Sequence, residues 1–188
     1  MKDGQARLAE ALGLSPERIP SSRQVHGAEL AFYDGPADPP AEADGHVVRG
    51  PGVAPLVFTA DCLPVALAGP GGAAILHCGW RGLAAGIVAR GAEAVGATAA
   101  AIGPAIGPCC YEVDDDVLGE FAYLDGVASG RMLDLREVAE RLLRRADVGQ
   151  VEISDLCTRC EADLFFSHRR DAGPGRQGGL VWLDAERG

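Results

Sequence analysis

Leu63-Pro64-Val65-Ala66-Leu67-Ala68-Gly69-Pro70-Gly71-Gly72-Ala73-Ala74-Ile75-Leu76-His77 reads as two apolar strands folded about a Gly-Pro-Gly-Gly turn. Residues 63–67 and 73–77 are too short for a helix and rich in strand formers, and the glycines between them supply the turn. Folding about that turn sets the start of the first strand beside the end of the second. Cys62 and His77 then fall within a residue or two of each other across the ladder, whichever turn type closes it. Residues 56–59 form another strand just upstream, after Pro55.

Outward from this hairpin the pattern alternates between the two periods. Residues 5–14 have helical spacing, with Leu8, Leu12 and Leu14 interleaved with Arg7 and Glu10, ending near Gly13 and Pro16. Residues 28–33 read as a strand, 35–43 as a loop, and 47–48 as the opening of a strand stopped by Gly50-Pro51-Gly52. Residues 82–97 read as one Ala-rich helix and 99–102 as a strand. Residues 133–146 are an amphipathic helix with an Arg-rich outer face, and 151–153 and 179–183 are strands. Asp114-Asp115-Asp116 reads as N-terminal capping of a solvated helix. With no repeat and no long linker, the expectation is one α+β domain over residues 1–188, mixed β-sheets flanked by helices.

Composition narrows the function classes. At 188 residues with 47% hydrophobic and 23% charged side chains, the chain can bury an ordinary globular core. No apolar run reaches the ~20 residues of a membrane span, and the N-terminus lacks a signal-peptide core. A cytoplasmic protein is the expectation, with no membrane partner. A net charge of −10 opposes a nucleic-acid partner while permitting a small anion held by local arginines. Six cysteines without an export signal read as thiols or metal ligands, not as a disulfide framework.

His26, Cys62 and His77 are the candidate ligands. Two imidazoles and one thiolate hold a zinc ion and leave its fourth position open, which separates a catalytic zinc from a structural one. The hairpin joins Cys62 to His77, whereas nothing local forces His26 to join them, and a core histidine beside a buried thiol is the plainer alternative. Arg81 either serves the following helix and a surface carboxylate or holds phosphate and ribose oxygens. Residues 103–108 are either a simple strand exit or a backbone cradle at Gly107. Arg169 and Arg170 are a phosphate site or a salt-bridge pair, and Asp44 is a turn residue or part of the site. Cys157-Thr158-Arg159-Cys160 has the gap of a zinc ligand pair, and Cys109-Cys110 could complete a rival all-cysteine site. Against that reading, adjacent cysteines rarely both ligate one ion. His46 and His168 have no assigned role.

Gln24-Val25-His26-Gly27, Thr59-Ala60-Asp61-Cys62-Leu63-Pro64, His77-Cys78-Gly79-Trp80-Arg81-Gly82, Gly103-Pro104-Ala105-Ile106-Gly107-Pro108 and Phe166-Ser167-His168-Arg169-Arg170-Asp171 occur in this order. Together they resemble the laccase-domain family, also called the YfiH-type or polyphenol oxidoreductase family, over nearly the whole chain. The resemblance implies an αββα-type fold and a mononuclear metal site of His26, Cys62 and His77. It also implies an N-terminal Thr-Arg-x-Gly-Gly-x-Ser segment, which this sequence is expected to lack. Members of the family are described as phosphorylases of purine nucleosides that also deaminate adenosine, and earlier as copper-dependent polyphenol oxidases.

The expected function is therefore a zinc-dependent enzyme, with copper as the competing ion, whose substrates are a purine nucleoside and phosphate. Phosphorolysis of adenosine, inosine or methylthioadenosine would place phosphate beneath C1′ on arginines such as Arg81. Deamination would need water acidified by the ion for attack at C6, with Asp61 as a candidate proton shuttle beside Cys62. Catalytic candidates are thus Cys62, His77, Asp61 and Arg81, and substrate-binding candidates are Arg81, Asp44, Gly107 and Arg169. A multicopper oxidase needs about eight imidazoles for its cluster and electron-transfer copper; four histidines exclude it as a self-contained monomer. A single-copper polyphenol oxidase is the second class. The third is a metal-free deamidase or hydrolase with Cys62 as nucleophile and His77 as base, in which His26 is incidental.

Overall fold

The computed structural model describes residues 2–184. Its centre is a six-stranded mixed sheet built around the hairpin of β4 (Leu63–Gly69) and β5 (Gly72–Cys78). The turn is as tight as the sequence implies, with Gly69 paired to Gly72, and the register places Pro64 opposite His77 and Leu63 opposite Cys78. β1 (Leu30–Tyr33) and β2 (Gly45–Val48) extend the sheet on the β5 side, parallel to each other, with β2 antiparallel to β5. β6 (Ala99–Ile102) and β9 (Gln150–Ile153) extend it past β4, giving the order β1-β2-β5-β4-β6-β9.

Strand alternation divides the sheet into two buried faces. Val65, Leu67 and Leu76 pack with Ile87, Val88, Val138 and Leu143 from helices α3 (Ile87–Val95) and α5 (Leu135–Arg145). Pro64 and Ile75 face the other way, toward Gly179 of β10 (Gln177–Leu180), which pairs antiparallel with β3 (Leu56–Thr59). Behind that ribbon, Leu8 and Ala9 of α1 (Lys2–Ala11) pack on Leu56 and Leu180 with Ile19. The layers therefore run helix, sheet, sheet, helix, in agreement with the expected αββα arrangement.

Several local expectations change. The single helix expected over 82–97 is two, α2 (Trp80–Ala84) and α3, because Gly86 takes φ +84, a left-handed conformation that no helix interior accommodates. The last strand begins two residues earlier than its sequence reading and ends at Leu180. The short elements α4 (Asp115–Glu120), β7 (Ala128–Ser129), β8 (Met132–Leu133) and α6 (His168–Asp171) have too few residues to show a period. Asp114 stands at the N-cap position of α4, but its side chain makes no capping hydrogen bond and pairs with Arg131 instead.

Candidate metal centre

The site grows from one end of the hairpin. Cys62 immediately precedes β4, and His77 is the penultimate residue of β5, so the ladder brings them together. His26 arrives by a longer route, governed by a residue that turn chemistry alone does not reveal. Asp44, fully buried just before β2, accepts hydrogen bonds from the backbone N–H groups of Val25, His26 and Gly27 at 3.0, 2.9 and 2.8 Å. Those bonds hold His26 at φ +60, a conformation a non-glycine residue adopts only when its surroundings impose it. The same carboxylate lies 2.8 Å from His77 Nδ1. Because an ionised carboxylate only accepts, His77 carries its proton on Nδ1 and offers Nε2 to an ion.

The result is a convergent donor set. The ligating atoms of His26, Cys62 and His77 lie within 4.8 Å of one another, and the two rings meet edge to face. Space for an ion is protected by Gly79: a Cβ there would stand 3.0 Å from His26 Cδ2 and 3.1 Å from Cys62 Sγ. Burial pushes the Cys62 thiol up, but hydrogen bonds from His26 and His77 overcome it and bring the thiol down to about 7. Burial likewise disfavours charge on His77, yet the bonds to Asp44 and Cys62 raise it to about 9. A thiol lowered to about 7, a ring oriented by a buried carboxylate and three rather than four donors fit a metal ion that retains an open position.

These three side chains open onto a cavity of about 840 Å³. Phe58, Ile106, Trp80 and Tyr111 give it flat apolar walls, and Arg81, Arg169 and Arg176 reach its rim. Arg81 lies over the Trp80 ring at 4.3 Å, and Arg169 over Tyr111 at 5.3 Å. Among the described residues, none of these three guanidinium groups has a carboxylate partner; Arg169 donates to the Glu112 carbonyl at 3.1 Å and Arg176 to the carbonyls of Gly173 and Gly175. Arg23, also on the wall, is paired with Glu42.

Other candidates are placed differently. Asp44, expected to touch substrate, is sealed from the cavity and spends its oxygens on backbone and His77, so it positions ligands instead. Gly107 does not line the cavity either; its N–H donates to Cys157 Sγ at 3.2 Å, and the neighbouring Ile106 faces the substrate space. Asp61 sits on the wall, but its carboxylate accepts from Thr158 Oγ1 and from the Arg169 backbone N–H, both at 2.7 Å. It thereby anchors α6 with Arg169. Arg170 turns away to Asp171 and the carbonyls of Thr158, Arg159 and Phe165. His168 and Arg176 join the cavity wall without having been singled out. His168 lies inside a quoted motif, so a signal existed; Arg176, in a Gly-Pro-Gly-Arg loop, had none.

The chain is similar to known proteins over nearly its whole length. A purine nucleoside phosphorylase of Streptomyces coelicolor is 40% identical, over 94% of this chain and 79% of its own. The purine nucleoside phosphorylase YfiH of Escherichia coli is 35% identical, over 97% of this chain and 81% of its own. The crystal structure of a YfiH protein from Bacillus licheniformis superposes with a TM-score of 0.85 at 32% identity, covering 97% of this chain and 80% of that one. The family model described as multi-copper polyphenol oxidoreductase laccase matches residues 1–184, and the chain belongs to that family.

Proposed function

We propose that this chain is a zinc-dependent purine nucleoside phosphorylase, converting adenosine, inosine and methylthioadenosine to free base and ribose 1-phosphate, and that it also deaminates adenosine. The observation that carries this reading is the meeting, in one cavity, of the two-imidazole, one-thiolate set with three carboxylate-free arginines. In a protein of net charge −10, guanidinium groups without a carboxylate partner around a pocket are placed for an anion. The names borne by the relatives supply the substrate class.

In phosphorolysis a phosphate oxygen forms a bond to C1′ while the C1′–N9 bond breaks and its electron pair moves into the purine, which then takes a proton. Arg81 and Arg169 would hold the phosphate against that carbon, their guanidinium groups kept in place by the Trp80 and Tyr111 rings. Phe58 and Ile106 provide the apolar surface for the base. His168 is the imidazole on the wall outside the His26, Cys62 and His77 set and the natural donor for the leaving purine. Asp61 positions Arg169 through its backbone. A bound zinc would supply Lewis-acid polarisation and the acidified water that deamination requires.

The test is bound metal together with product. Protein purified without added metal is analysed by mass spectrometry for zinc and copper, then assayed for base and ribose 1-phosphate with and without phosphate. Phosphate-dependent base release, abolished in His26→Ala, supports the reading. Release that ignores phosphate overturns phosphorolysis. Activity retained in His26→Ala moves the chemistry to a Cys62–His77 nucleophile pair, for which the depressed Cys62 thiol is the favouring observation. Phenol oxidation only in copper-loaded protein, with no nucleoside turnover, supports the oxidase instead.

A further inference from the structure

The four cysteines outside the catalytic cavity form a second cluster. After β6 the chain makes a tight turn in which the N–H groups of Cys110 and Tyr111 both donate to the Gly107 carbonyl at 3.0 Å. After β9 the segment from Cys157 repeats the shape, with Cys160 and Glu161 donating to the Cys157 carbonyl at 3.1 and 3.0 Å. The turns are held against each other by a parallel bridge between Ala105 and Cys157 and by Thr158 N–H donating to Ala105 at 3.0 Å. Each presents two thiols to the other, which is how adjacent Cys109 and Cys110 escape the steric objection that their neighbouring positions raise.

The sulfur geometry is specific. Cys109, Cys110 and Cys160 are mutually separated by 3.6, 3.7 and 3.5 Å, and Cys157 completes a set whose sulfurs all lie within 4.8 Å. Four thiolates about 2.3 Å from a tetrahedral zinc stand about 3.8 Å apart, while a disulfide closes to about 2.05 Å and consumes only two. The separations match the first arrangement. The Gly107 N–H bond to Cys157 Sγ is the kind of backbone donation that orients a metal-bound thiolate.

From this geometry we propose that Cys109, Cys110, Cys157 and Cys160 bind a structural zinc ion. Its four protein ligands leave no open position, so it does no chemistry on substrate. It staples the two loops that shape one side of the cavity: Ile106 and Tyr111 flank the first cysteine pair, and Thr158, between the second pair, holds Asp61. The inference does not depend on which reaction the cavity performs.

The experiment counts zinc in wild type, in Cys110→Ser/Cys160→Ser and in His26→Ala/Cys62→Ser, with cobalt substitution to report the number of thiolates by charge-transfer intensity. The expected result is two equivalents in wild type and one in each double variant. The cobalt retained by His26→Ala/Cys62→Ser should carry the intense tetrathiolate spectrum. A mercurial titration of wild type, releasing zinc as thiols are blocked, gives the count even where a variant does not fold. Wild type with one equivalent, lost only in His26→Ala/Cys62→Ser, overturns the proposal. So does a disulfide among these four cysteines in protein purified under argon.

Discussion

The two thiol sites of this protein solve opposite problems with similar atoms. At His26, Cys62 and His77 the chain brings together three donors and stops, and Gly79 keeps a side chain out of the remaining space. At the four-cysteine cluster two turns bring four sulfurs within 4.8 Å of one another. The open site depends on a buried carboxylate and on His26 and Asp61 in left-handed backbone conformations, φ +60 and +90. The closed site uses ordinary turns and carries Cys109 and Cys160 at the surface. Strain and buried charge are concentrated where chemistry is expected, while the staple is built from relaxed parts.

Removing a ligand separates the sites most sharply. Cys62→Ser should abolish zinc binding at the open site and lower kcat by about 10²–10⁴, since several kcal/mol of charge stabilisation disappear. The cluster zinc and the fold should persist, as seen by metal analysis and circular dichroism. Equal loss of both ions would mean that the sites are not independent.

Asp44→Asn is a subtler break, since the residue never touches metal. Its amide can no longer accept from three backbone N–H groups and His77 Nδ1 together without turning an NH₂ group toward a donor. Zinc affinity at the open site should fall by about 10–100-fold, measured by chelator competition, with no change at the cluster. Gly79→Ala should act on the same site by crowding, weakening zinc by about tenfold as His26 and Cys62 yield to the new methyl. If either variant binds zinc like the parent, Asp44 and Gly79 are packing residues only.

Which parts of this picture the sequence discloses follows from how local each one is. The hairpin is legible because its turn lies within four residues and its register follows from that turn, so Cys62 and His77 meet in any reading. His26 is not, because its position is set by Asp44 from a distant loop. Asp44 itself looks like a turn residue: Ala43-Asp44-Gly45 has turn composition, and nothing in it reports complete burial. Adjacency misleads at Cys109-Cys110, where a tight turn sends both sulfurs toward Cys160. Gly107 fails as a ligand cradle because its amide is already given to Cys157.

The weakest test concerns a histidine that belongs to neither site. His46 lies on β2 two residues beyond Asp44, fully buried, with Nδ1 3.1 Å from Tyr33 Oη and no partner on Nε2 among the described residues. Burial pushes it from its ordinary 6.5 down to about 4, only partly opposed by the Asp44 charge. His77, equally enclosed but bonded to Asp44, moves the other way. Between about pH 6.5 and pH 4 the unfolded chain takes up a proton that folded His46 refuses, so stability is complete above this window and falls as pH drops through it, by up to ~1.4 kcal/mol per pH unit. Without metal, the raised His77 loses stability as pH rises toward 9, while the lowered Cys62 gains it over much the same range, so the pair largely cancels. His46→Gln should therefore flatten the acidic limb of a urea-unfolding profile and leave the metal count unchanged. An acidic limb identical to the parent's would assign that limb to protonation of the ligands themselves.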